Sequence, residues 1–228
     1  MLIVIEGLDG AGKSTQVKML RKYLEERVGS VDYIHFPRYD APVYGGLISS
    51  FLRGEFGQVN QVHPRLVALL YAEDRHAAAP GMKESLAAGN CLLLDRYVYS
   101  NIAYQCAKVP DETSREELRS WIFSTEYGYF ALPRPDVNIF LDVPVSFVEQ
   151  KLCAAREGGD REYLSGSRDI HEADMDFQRR VREVYLRQCE LDPDFIRIDC
   201  ADADGSMLPP EKISAKLTGA LEELVIFK

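Results

Sequence analysis

Gly7-Leu8-Asp9-Gly10-Ala11-Gly12-Lys13-Ser14 is the stretch on which the reading of this chain turns. It fits the pattern G-x-x-x-x-G-K-[ST]. It follows the apolar run Leu2 to Glu6 and opens an amphipathic segment from Lys13 to Arg27. Glycines at these positions let backbone N–H groups converge on phosphate oxygens, and the start of a helix adds partial positive charge. In such a loop Lys13 reaches the β- and γ-phosphates while the Ser14 hydroxyl ligates Mg²⁺. The sequence therefore predicts a nucleoside triphosphate site made by Gly7, Leu8, Asp9, Gly10, Ala11, Gly12, Lys13, Ser14 and Thr15.

Outward from the loop, short apolar runs alternate with longer amphipathic segments. Leu2 to Glu6, Val31 to Phe36, Cys91 to Asp95, Val137 to Asp142 and Phe195 to Asp199 read as strands covered on both faces. Helical stretches are expected near 13–27, 41–53, 64–88, 98–108, 113–130, 144–156, 171–190 and 210–225. Repeated strand–helix–strand order implies right-handed crossovers and a parallel sheet. The expected class is α/β: a P-loop NTPase three-layer sandwich, a five-stranded parallel sheet with helices on both faces. One domain is expected over residues 1–228. Arg156 to Ser167 carries glycines and charges without an apolar period. It reads as an exposed loop, either an inert one or a short lid over about 156–168.

Composition narrows the function. The 228 residues carry 27 Lys+Arg against 36 Asp+Glu, a net charge of -9, which argues against coating nucleic acid through a positive field. The apolar start Met1 to Ile5 is too short for a membrane span. Five scattered cysteines, with no C-x-x-C pair, fit a reduced, cytoplasmic setting. A guanine-reading N-K-x-D segment does not occur. A kinase of a small acceptor is then the favoured class, and Asp95-Arg96-Tyr97, at the end of a predicted strand, is where such folds bind ligands. There an Asp can hold hydrated Mg²⁺ and an Arg can clamp phosphate, although Asp95 as a plain helix cap is the competing reading.

The neighbouring residues favour the site. Asp95-Arg96-Tyr97-Val98-Tyr99-Ser100-Asn101-Ile102-Ala103-Tyr104-Gln105 closely resembles the D-R-Y-x-x-S-x-x-A-Y-Q signature of thymidylate kinases. Glu6 to Gln16 resembles that family's phosphate loop, Phe36-Pro37-Arg38-Tyr39 its F-P-R loop, and Leu69 to Arg75 its L-L-F-A-x-D-R helix. Asp169-Ile170-His171-Glu172, with Phe177 and Arg180 to Tyr185, resembles the segment closing its lid.

That resemblance implies transfer of the γ-phosphoryl of ATP to dTMP, with Mg²⁺, in a homodimer. Apolar faces at 64–72 and 98–106 would serve the dimer or pack on the sheet. By resemblance, Tyr71 stacks on the thymine ring, replacing the usual Phe, and Arg75 donates to the base carbonyl edge. Phe36 and Gln105 fall in the same matching segments. Arg38 and Arg96 hold the monophosphate with Tyr39 nearby, Asn101 and Tyr104 frame the base and sugar, and His171 lines the acceptor site. A Tyr104 ring against the 2′ carbon selects deoxynucleotides. Asp9 is expected at the sugar 3′-hydroxyl or a metal-bound water. Glu172 is expected near the same ion, with a helix cap as its other reading. The metal set is thus Ser14, Asp9, Asp95 and Glu172, and direct ligation is left open among them.

Gly10 stands where some relatives carry a loop arginine, so Arg156 and Arg161, with Arg168 beside them, are expected to meet transition-state charge, as in the bacterial type. The expected catalytic residues are Lys13, Asp9, Arg96, Arg156 and Arg161. Two other classes remain at this stage: a kinase of another nucleotide or deoxynucleoside, and a nucleotide-dependent switch that transfers nothing.

Overall fold

A computed structural model describes residues 1–154, 164, 169–172 and 174–224, with 153 and 154 by backbone alone. Most of the expected lid, including Arg156, Arg161 and Arg168, lies outside the described residues, as does the tail beyond 224.

Five strands form one sheet in the order β2-β3-β1-β4-β5. They are β1 (Leu2–Glu6), β2 (Val31–His35), β3 (Cys91–Asp95), β4 (Val137–Asp142) and β5 (Phe195–Asp199). Every neighbouring pair is parallel, with Ile3 opposite Leu93 on one side of β1 and Val137 on the other. The expected α/β architecture is therefore the one observed. All residues of β1, β3 and β4 are buried, as central strands covered by helices must be. The outer strands depart from the sequence expectation: Tyr33 on β2 and Arg197 on β5 are exposed. An edge strand has a neighbour on one side only, so polar residues there keep their water.

The helices are α1 (Lys13–Val28), α2 (Tyr44–Leu52), α3 (Pro64–Ala87), α4 (Val98–Cys106), α5 (Glu112–Phe123), α6 (Val145–Ala154), α7 (Met175–Leu191) and α8 (Pro210–Glu223). Where one long helix was expected over 113–130, α5 instead passes into a π-helical turn, Ser124–Tyr129. Helix starts follow local chemistry. Asp111 accepts from Ser114 N at 2.8 Å and Asp174 from Phe177 N at 2.9 Å. Asp174 rather than Glu172 thus caps α7, and the helix starts later than the sequence suggested. α4 has no cap of its own. The fully buried Glu6 at the end of β1 supplies one instead, accepting from Tyr97 N at 2.8 Å and Ser100 N at 3.1 Å. All nine residues of α4 are buried, so of the two apolar faces considered for a partner, 98–106 packs inside the chain.

Candidate active site

The loop from Gly7 to Gly12 connects β1 to α1 and turns on two glycines in the left-handed region, Gly10 at φ 72° and Gly12 at φ 76°. No side chain caps α1, so its first amides stay directed at the loop. Lys13 folds back over this loop, donating from Nζ to Leu8 O at 2.9 Å and Gly7 O at 3.3 Å. Burial, together with Arg96, draws the Lys13 amine down to about 8. Asp9 and every residue from Gly10 to Thr15 line a wide cleft. Gly7 and Leu8 sit behind it, lending the lysine their carbonyls. The far end of the cleft is apolar, built from Phe147, Leu152, Met207, Leu208 and Ile213.

A second, smaller cleft opens beside it. Of the expected acceptor residues, Asp9, Phe36, Tyr39, Tyr71, Arg75 and Arg96 line it, as do Asn101, Tyr104, Gln105 and His171. Arg38 does not. Its Nε and backbone N donate to the Asp74 carboxylate, each at 2.9 Å, and its Nη2 donates to Asp74 O at 2.7 Å. A buried carboxylate on α3, Asp74, holds the guanidinium that was expected on the phosphate.

Asp9, Tyr39 and Arg96 belong to both clefts. Arg96 adopts φ 68°, rare for a residue with a side chain and costing on the order of 1–3 kcal/mol. Its amide donates to Ile5 O at 2.8 Å, and with Glu6 this pins the turn after β3 to the end of β1. The strained turn aims the guanidinium at Asp9 Oδ1, 2.6 Å away, and at Ser100 Oγ, 3.1 Å away. Asp9 Oδ2 accepts from Tyr104 OH at 2.6 Å and from Gln178 Nε2 at 3.2 Å. Burial would raise the Asp9 carboxyl, but Arg96, Lys13 and the Tyr104 hydroxyl hold it down to about 2.

Behind Arg75 and Asn101, which line this cleft, lies a buried cluster. Arg75 donates from Nε to Glu126 Oε2 at 2.5 Å and from Nη2 to Oε1 at 2.8 Å. Asn101 Nδ2 donates to the same Oε1 at 2.8 Å and to Ala68 O at 2.9 Å. His171 packs among Phe51, Tyr104 and Phe177, its ring centroid 5.2–5.5 Å from theirs. Burial, with Lys108 nearby, takes its pKa well below the usual histidine value.

The expected metal residues are not gathered into one cluster: among the described residues no three His, Cys, Asp or Glu side chains stand together as a metal site. Asp9 has both oxygens engaged by protein donors. Asp95 fits a cation better. It is buried beside Lys13, its Oδ2 lies 3.3 Å from His35 Nδ1, and its Oδ1 has no protein partner. Asp95 also belongs to the same cleft as Ser14 and Glu172. An ion that keeps most of its waters and arrives with phosphates needs only one or two such groups.

Glu6, Asp74, Glu126 and Gln178 support the site and carried no role in the sequence reading. Glu6 and Asp74 lay within quoted motifs, where a charge at the end of an apolar strand or before Arg75 was the available sign. Glu126 and Gln178 gave none.

The chain is similar to known proteins in sequence and in fold. A family model described as thymidylate kinase matches residues 5–204. The chain belongs to the thymidylate kinase family. Thymidylate kinase of Mycobacterium tuberculosis is 34% identical over 187 residues, covering 81% of this chain and 84% of that one. A probable thymidylate kinase of Thermococcus gammatolerans is 32% identical over 231 residues, covering 99% and 98%. Among solved structures, thymidylate kinase from Candida albicans superposes with a TM-score of 0.71 at 27% identity, covering 100% of this chain and 93% of that one.

Proposed function

We propose that this chain is a nucleoside monophosphate kinase that moves the γ-phosphoryl of ATP onto dTMP, yielding dTDP and ADP. The observation that carries this reading is the junction of two clefts at Asp9, Tyr39 and Arg96. One cleft is a phosphate loop, and the other fits a pyrimidine monophosphate. A slow nucleotide switch has no use for the second cleft.

The acceptor oxygen belongs to a phosphate with a second pKa near about 6, so no general base is required. His171, held neutral by burial, is in keeping with that. Catalysis then rests on in-line placement and charge neutralisation. Lys13 swings from the Gly7 and Leu8 carbonyls onto the transferred phosphoryl, while Arg96 holds the acceptor phosphate and keeps Asp9 ionised. Asp9 accepts from the Tyr104 hydroxyl, and the Tyr104 ring forms the wall against the sugar. Arg38 reaches the phosphate only by releasing part of its hold on Asp74. Ser14 and Asp95 are the groups best placed for Mg²⁺, with Glu172 close by. Held there, Mg²⁺ would supply charge neutralisation on the triphosphate. The unpartnered Asp95 Oδ1 supports that choice.

Arg156 and Arg161 as the lid arginines that meet transition-state charge rest on the family resemblance. So does a single kinase domain with a lid over 156–168. Replacing each arginine by Ala should lower turnover by more than threefold. A homodimer is supported by α3, which leaves Leu66 64% and Leu69 37% exposed in the single chain. No described helix is long and apolar enough to cross a membrane, which is in keeping with a cytoplasmic enzyme. The deciding experiment is coupled ADP release with ATP and a panel of nucleoside monophosphates. dTMP should be turned over best, and comparable rates with dCMP would overturn the assignment.

A further inference from the structure

We propose that Glu126, on the π-helical turn, is a positioning residue that sets which pyrimidine edge the acceptor cleft reads. The inference rests on the dTMP kinase reading above. Glu126 is fully buried, and both its oxygens accept hydrogen bonds from protein donors. Oε1 takes Asn101 Nδ2 and Arg75 Nη2, while Oε2 takes Arg75 Nε. Ala68 O, a second pure acceptor, also takes Asn101 Nδ2. Two acceptors on one side fix the Asn101 amide in a single orientation. Its Oδ1 is then left over, buried and without a protein partner, on a residue that lines the cleft. The same carboxylate uses two of the three guanidinium nitrogens of Arg75, leaving Nη1 on a second cleft-lining residue.

Asn101 and Arg75 both line the cleft, so the pair can offer an entering ring one acceptor and one donor. A thymine or uracil ring offers N3–H and O4, the complementary pair. A cytosine ring offers an unprotonated N3 and an amino group, which mismatch both. Neither Asn101 nor Arg75 enforces this alone, because an amide can turn over and a guanidinium can slide. Glu126 locks both with one group, and the π-helical turn brings it there: a residue of α5's continuation faces α3 and α4 with no exposure to water.

Glu126→Gln tests this with little change in volume. An amide has only one acceptor oxygen, so either Arg75 Nε faces an NH₂ group, or Arg75 Nη2 and Asn101 do. One half of the readout is lost in either orientation. The measured quantity is the ratio of kcat/KM for dTMP to that for 5-methyl-dCMP, which differ only at the N3 and C4 edge. In E126Q the ratio should fall at least about tenfold, with the dTMP to dUMP ratio unchanged, since those two share the edge. Glu126→Asp keeps an acceptor-only group, and its dTMP to 5-methyl-dCMP ratio should stay within about threefold of the wild-type value. A ratio in E126Q within threefold of wild type overturns the inference, as does a fall in E126D matching that in E126Q. Should only E126D fold, a tenfold fall in that variant overturns it. Wild-type enzyme that does not phosphorylate dTMP would instead sink the kinase reading itself.

Discussion

Arg96 Nη2 lies 2.6 Å from Asp9 Oδ1, joining the turn after β3 to the loop after β1 where the two clefts meet. The pair is largely shielded from water, so each charge depends on the other for its solvation.

Asp9→Asn removes that dependence. The Asp9 carboxyl is depressed from 3.8 to about 2, so it stabilises the fold above pH 4 and its contribution is lost as pH falls through about 2. The shift corresponds to about 2 kcal/mol. Urea unfolding at pH 6 should show D9N destabilised by about 2–4 kcal/mol. Between pH 4 and 2 its stability should fall less steeply than the wild type's. Parallel acid limbs would count against this account.

Lys13 has the opposite sign. Burial with Arg96 nearby lowers its amine from 10.5 to about 8, so the folded state binds the proton less well than the unfolded chain. Stability should therefore rise between pH 8 and 10.5, and at neutral pH the charged lysine costs stability. Lys13→Met should raise urea stability by roughly 1–3 kcal/mol while reducing turnover by at least about a thousandfold. For the wild type, kcat/KM for ATP should decline above about pH 8, because it reports the free enzyme. An unchanged kcat/KM up to pH 10 would show that Lys13 keeps its proton.

Gly45 at the start of α2 touches the loop that holds Arg38 and Tyr39. A Cβ there would sit 2.4 Å from Tyr39 O and 2.6 Å from Arg38 O, while at Gly46 it would meet nothing within 4 Å. Both contacts are backbone, so the loop must move. Gly45→Ala should raise KM for dTMP at least about tenfold with KM for ATP unaffected, whereas Gly46→Ala should leave both alone and favour the helix by about 0.5–1 kcal/mol. Steady-state kinetics on the two variants decide it.

Tyr104 meets Asp9 through its hydroxyl and Phe177 through its ring, which lies 6.0 Å away by centroid. If the ring excludes a ribose 2′-hydroxyl, Tyr104→Ala should reduce the preference for dTMP over its ribonucleotide counterpart at least about tenfold, and Tyr104→Phe should preserve it. Equal preferences in both variants would assign the discrimination elsewhere.

The fold was legible because its strands are runs of Leu, Ile and Val joined to a glycine loop of fixed spacing. Neither signal depends on distant residues. Much of the cleft was legible for a similar reason: Asp9, Tyr71, Arg96, Asn101 and Tyr104 sit inside short contiguous motifs. The groups that hold those residues were not. Glu126 meets Arg75 from 51 residues away and Gln178 meets Asp9 from 169 away, and no local pattern marks either partner. The Arg38–Asp74 pairing was hidden for the same reason, although both residues had been quoted. The outer strands misled because a short apolar run looks alike at the middle and the edge of a sheet. The π-helical turn escaped because its residues have no periodicity that differs from an α-helix over six positions.

The capping of α4 by Glu6 bears on when the site comes into being during folding. An isolated segment over Val98–Cys106 has no helix start of its own and, at nine residues, is too short to persist in water. Its start is supplied from 91 to 94 positions earlier in the chain, and the same carboxylate also takes the Tyr185 hydroxyl from 179 positions later. Closing those loops comes at an entropic cost that is recovered only once β1, β3 and α7 have met. The start of α4, and with it the wall that carries Asn101 and Tyr104, is therefore set by long-range assembly and not by its own sequence.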